Sequence, residues 1–142
     1  MTKHLDTTRK QIEMYMAAYG VVFGAGIMVL LAFGGQPLYW LKVSQDMQTD
    51  VALLILFSGV IHALGIRVNG SWRWSPALRV IGMAAHASAM TWLALSAFVA
   101  TFGSLHGVAS GVVTYGPLAW AFWCLAWGAW HDLKRSLALW RI

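Results

Sequence analysis

The chain has 142 residues, 59% of them hydrophobic and 11% charged, with a formal net charge of +5 and a mean hydropathy of +0.63. Soluble domains carry about 25% charged and about 45–50% apolar residues, so this chain has too little charge to clothe a water-facing surface. The composition excludes a soluble enzyme, a disordered tail and a free nucleic-acid-binding module, and marks an integral membrane protein whose first partner is the lipid bilayer.

The chain opens with Lys3, Arg9 and Lys10, and Thr8 with Gln11 has capping-box spacing, which predicts a helix start at the membrane interface. Spanning about 30 Å of hydrocarbon takes roughly 20 helical residues. The first such run is 14–35. It is too long for the apolar part of a secretory signal, and no small-residue cleavage site follows a short run. Gly20 and Gly24 stand four apart on it, a face for close helix contact. Pro37, Leu38, Tyr39, Trp40 and Leu41 then read as an interfacial segment, with Lys42, Asp46 and Asp50 beside it.

The second run, 47–66, repeats the small-residue spacing at Gly59 and Ala63 and carries His62. Val68-Asn69-Gly70-Ser71 has the composition of a tight turn. Arg67, Trp72, Arg73 and Trp74 flank it and are expected on lipid headgroups, rings in the interface and guanidiniums on phosphates. Ser75-Pro76 makes a fitting N-cap and first-turn pair for the third run, 76–102. Arg79 lies one turn inside, where snorkelling to the same headgroups is the favoured reading. Ala84, Ala85, Ala87 and Ser88 form a further small-residue stretch. The fourth run, 108–130, places Trp120, Trp123, Trp127 and Trp130 on one helical face. The lower pair suits an interfacial belt, and the upper pair is expected to pack within the bundle.

Backbone polar groups in lipid must be satisfied internally, so each run is a helix. The expected fold is an all-α, up-and-down bundle of four transmembrane helices in a single domain. Nine of the ten Lys and Arg residues fall on the side of the termini and the central loop, and only Lys42 falls opposite. The positive-inside rule then puts both termini in the cytoplasm.

Chemistry-bearing residues are few. His62 and His86, with Met83 and Met90 at i−3 and i+4 from His86, are the candidates for a haem or quinone site. Counted from the predicted span ends, the two histidines lie at depths of about 6 and about 15 Å, a strained level for ligands of one haem. Neutral histidines bonded to a neighbouring helix, with Met filling gaps, are the favoured reading. With the first span entered at Met14 and the second counted from Val51, no carboxylate falls inside any span, which argues against proton-coupled exchange. Cys124 is the single cysteine, so no intramolecular disulfide or multi-cysteine metal site exists. No nucleophile–base–orienter set appears, and no enzyme is expected.

The stretch from Arg67 to Arg79, with its Asn-Gly-Ser-Trp-Arg turn, an apolar span, a short loop and Ser110-Gly-Val-Val-Thr-Tyr-Gly116, resembles a known group. It is similar to small four-span membrane proteins encoded by tailed phages and prophages, which carry a comparable turn before span three and a Ser-Thr-Gly-Val-x-Thr-Tyr-like entry to span four. Ala109-Ser110 departs slightly from that entry. The resemblance covers about residues 50–135; it implies four spans and brings no catalytic residues. The functional expectation is a phage-type protein acting on the membrane, by holin-like permeabilisation or envelope modulation, with Ser88, Thr91, Ser96 and Thr101 lending span three some polarity. The alternatives are a non-catalytic accessory subunit that self-associates or joins a membrane or virion assembly, and a haem- or quinone-binding electron-transfer bundle.

Overall fold

The computed structural model describes residues 2–38, 44–68, 74–101 and 108–139. Its four helices are α1 (Thr2–Ala32), α2 (Gln45–Arg67), α3 (Ser75–Thr101) and α4 (Val108–Leu139). Three of them, over Thr7–Ala32, Gln45–Arg67 and Ser75–Ala100, are long and apolar enough to cross a membrane. Helix α4 is not among these. Its tryptophans, Tyr115 and Pro117 lower a hydropathy average, although indole and phenol rings are largely apolar bodies with one polar atom.

Each helix packs antiparallel on the next. A Cβ added to Gly59 would lie 2.7 Å from the Val21 nitrogen, and one on Gly20 would lie 3.2 Å from the Gly59 Cα, so α1 and α2 touch backbone to backbone. Gly24 sits equally close to the backbone of Leu56. Gly82 does the same for α2 and α3, where a Cβ would meet the His62 nitrogen at 2.6 Å. Such close approach maximises dispersion contact, the main packing force between helices that share an apolar solvent. Helices α1 and α4 close the bundle through longer side chains, with Phe23 and Tyr115 ring centroids 6.3 Å apart and Arg9 reaching Asp132. The core of Ile27, Leu31, Leu38, Ile55, Met90, Leu93 and Phe122 fills the half of the bundle away from the helix-α1 start.

Several local features differ from the sequence reading. Helix α1 runs from Thr2, so Thr8 and Gln11 lie inside it and cap nothing. It ends with Gly34 at φ +76°, the Gly34 N–H on the Leu31 carbonyl (3.0 Å) and the Gly35 N–H on the Leu30 carbonyl (2.8 Å). This paired bonding is a Schellman cap, which needs a left-handed residue that glycine adopts without strain. Leu38 is no interfacial residue: it is buried, and its N–H donates to the side-chain oxygen of buried Gln48 (3.1 Å). Tyr39, Trp40 and Leu41 lie outside the described residues. Ser75 is the first residue of α3, not its cap, and its hydroxyl donates to the Gly65 carbonyl (2.7 Å), tying α3 to the end of α2. Helix α4 continues past 130 to Leu139 and thereby carries Asp132 into the bundle. Pro117 sits well inside α4, exposed, with no N–H to give the Val113 carbonyl four residues back.

Candidate functional site: a buried ionic cluster

The up-and-down order brings the start of α1, the end of α2, the start of α3 and the end of α4 to one end of the bundle. There Glu13 is almost wholly buried, at 1% exposure. Arg79 donates to it with two arms, Nε to one carboxylate oxygen at 2.7 Å and Nη2 to the other. From one turn earlier on α1, Arg9 adds a third bond, Nε to Oε1 at 3.0 Å. Arg9 then turns its Nη2 to Asp132 on α4 at 3.0 Å, and Arg79 approaches the same carboxylate at 3.5 Å. Gly128 makes room for this, since a Cβ there would lie 2.9 Å from the Arg9 guanidinium. His62 on α2 completes the ring of neighbours, its Nε2 3.8 Å from Glu13 and too far for a hydrogen bond.

Two arginines face two carboxylates, so with His62 neutral the cluster carries no net charge. A buried charge costs several kcal/mol in lost hydration (order of magnitude) unless partners and hydrogen bonds replace the water. Here both oxygens of Glu13 are occupied by guanidinium donors, and each arginine serves both acids. What the arrangement does is hold α1, α3 and α4 together, with α2 supplying His62 as its wall.

One turn beyond His62, and about two turns beyond Arg79 on α3, lies His86. Its Nδ1 is 3.0 Å from the Ser58 hydroxyl, and that hydroxyl sits 2.8 Å from the Ile55 carbonyl. A Ser58 proton directed at the Ile55 carbonyl makes Nδ1 the donor of a neutral His86 ring and leaves Nε2 bare. The ring stacks on Phe122 at 3.9 Å, and Gly20 lies against its edge, where a Cβ would come within 2.3 Å of Cε1. Among the described residues, neither His86 Nε2 nor His62 Nε2 has a hydrogen-bond partner.

No family model, no curated protein and no solved structure matches this chain. The reading of the site therefore rests on its own geometry.

The sequence candidates distribute as follows. His62 and His86 sit opposite Gly82 and Ser58, one helical turn apart along the bundle. Met83 and Met90 are both fully buried, Met83 against Ala126 and Ala129, and Met90 in the main core. Among the described residues, no group of His, Cys, Asp and Glu is placed to hold a metal ion. Arg79, expected to snorkel, turns inward to Glu13 instead. Arg67 and Trp74 are exposed at the same end, while Trp72 and Arg73 lie outside the described residues. Gly20, Gly24 and Gly59 are in helix contacts, but Ala63 is exposed. Trp120, expected within the bundle, faces outward, and Trp123 lies at the surface with its indole N–H on the Thr91 hydroxyl (3.2 Å).

Glu13 is the residue that the sequence reading missed. It stands one position before the first span as drawn, so the claim that no span holds a carboxylate fails. The signal was present: Arg9 and Glu13 are four apart, the spacing of a helical ion pair, and helix α1 carries that pair into the apolar bundle.

Proposed function

We propose that the chain is a four-span protein of a bacterial inner membrane, with both termini cytoplasmic, that acts on the membrane without catalysis. The carrying observation is the inversion of polarity. Glu13 and Arg79 are 1% and 7% exposed, whereas Trp120 is 73% and Val22 71% exposed. A fold that hides its charges and turns apolar rings outward suits a hydrocarbon solvent. Helix α4 joins the other three as a span on this reading, because its outer face is tryptophan and its one acid, the partly exposed Asp132, is paired with Arg9. The nine-to-one distribution of basic residues supports the orientation.

Holin-like permeabilisation or envelope modulation is the activity, and it proceeds through self-association. Among the described residues, the interior of a single bundle is filled by Phe122, Leu93 and Met90. The hydroxyls of Ser88 and Thr91 donate to the Ala84 and Ala87 carbonyls at 2.9 and 2.7 Å. They are thereby satisfied within α3, so a lesion forms between copies rather than through one. A second reading, an accessory subunit of a larger membrane assembly, is favoured by the outward groove between α3 and α4 beside Trp120.

Inducible expression in a bacterium, with and without a phage endolysin, tests the proposal. Endolysin-dependent lysis with sudden loss of membrane potential supports holin action. Unchanged growth and potential, with the protein shown to be in the membrane, rejects it and leaves the accessory reading, which co-purification of a partner at fixed stoichiometry then tests.

A further inference from the structure

Two outward grooves of nearly equal size mark the bundle, and their chemistry differs. The groove between α3 and α4 has a volume of about 500 Å³ and is walled by Thr91, Ala94, Leu95, Phe98, Ala119 and Trp120, with no charged side chain in its lining. The groove between α1 and α2 has about 520 Å³ and is walled by Ala17, Ala18, Val21, Val22, Ala63 and Ile66, but it ends at Arg67.

The second groove has a physical origin in the sequence. Gly20 and Gly59 draw α1 and α2 into backbone contact, while Ala17, Ala18 and Ala63 are too small to fill the surface beside that contact. Arg67, in the last turn of α2, is exposed at the mouth, and no acidic residue lines the groove. Lys10 falls on the same stripe of α1, one turn before Met14. An apolar slot open to lipid along its length, closed at one end by a cation, has the shape and charge of one occupant: an acyl chain attached to an anionic headgroup.

We propose that the α1–α2 groove is a binding site for an anionic phospholipid, with one acyl chain along Ala18, Val21 and Ala63 and the headgroup phosphate on the Arg67 guanidinium. The proposal rests on the membrane reading above, because the headgroup must lie at the level of Arg67. A guanidinium offers paired donors to phosphate oxygens, and juxtamembrane cations attract anionic lipid with about 1 kcal/mol each. That corresponds to about fivefold in preference. The uncharged α3–α4 groove takes an acyl chain without regard to headgroup and serves as the internal control.

The full-length protein, extracted in detergent, is presented with equal amounts of phosphatidylglycerol and phosphatidylcholine of the same chain length, and retained lipid is counted by native mass spectrometry. The expected result is preferential retention of phosphatidylglycerol, lowered about fivefold in Arg67→Gln and kept in Arg67→Lys. Ala63→Leu, which fills the groove from an exposed position, removes the preference. Ala94→Leu, in the other groove, leaves it intact. Equal ratios in Arg67→Gln and the parent protein, or an unchanged ratio in Ala63→Leu, overturn the site. An alkaline wash separates the two ideas: protein released from membranes defeats the four-span reading, while retained protein without lipid preference defeats the lipid site alone.

Discussion

Glu13 and Arg79, 66 positions apart in the chain, meet as a two-armed ion pair in which the guanidinium spans both carboxylate oxygens. This pairing aligns α1 with α3 along their length, because both groups have limited reach and neither can find water where it lies.

Glu13→Gln removes the negative charge while keeping the shape. Arg79 and Arg9 are then left with Asp132 alone. Removing one partner of a buried pair typically costs about 3–5 kcal/mol, so the variant is expected to unfold well below the parent in a thermal melt in detergent. The double replacement of Glu13 and Arg79 by leucine is expected to recover part of that loss, since no charge of the pair remains to be solvated. A double variant less stable than Glu13→Gln would count against the cluster as described.

Gly20 and Gly26 offer a contrast on one helix. An added methyl at Gly20 would collide with the His86 ring, which Phe122 and Ser58 prevent from swinging aside. Overpacking of this kind costs about 1–3 kcal/mol. Gly26 meets nothing within 4 Å, and alanine there is expected to stabilise the helix by up to about 1 kcal/mol. Similar melting shifts for the two alanine variants would refute the difference in packing.

His86 is assigned its proton on Nδ1 by the Ser58 hydroxyl, and nitrogen NMR of the labelled imidazole should report that tautomer. In Ser58→Ala the buried Nδ1–H loses its acceptor, at a cost of about 1–3 kcal/mol. The ring is then free to change tautomer. A parent protein showing the Nε2 tautomer would remove this network.

Cys124 lies exposed on the outer side of α4 between Trp123 and Leu125. If α4 spans the bilayer, this thiol is reached by lipid-soluble reagents and not by impermeant maleimide from either side of sealed vesicles. Rapid labelling by the impermeant reagent would place α4 outside the hydrocarbon.

The helical architecture was legible in the sequence because apolar runs separated by turn residues leave little choice of structure. The end of α1 near Gly34 and the start of α3 near Ser75 follow from composition to within a few residues. The ionic cluster was harder to see. The apolar runs of spans one and four were drawn between their flanking charges, so Glu13 and Asp132 fell just outside them. Helices extend through such residues when a partner on another helix waits for them, and that partner is not visible in a one-dimensional pattern. Trp120 illustrates the converse: spacing identifies a helical face but does not say which way the face points.

Chain order gives the ionic cluster a sequence in time as well as in space. Arg9 and Glu13 emerge first, one turn apart, so α1 can enter the bilayer as a locally neutral segment with its own ion pair. Arg79 follows with α3 and takes both oxygens of Glu13, which leaves one positive charge in excess until synthesis reaches Asp132. The last helix supplies the missing negative charge, and Arg9 meets it. A chain halted before α4 therefore holds an unbalanced arginine within its three helices, and Asp132 of the fourth helix supplies the charge that balances it.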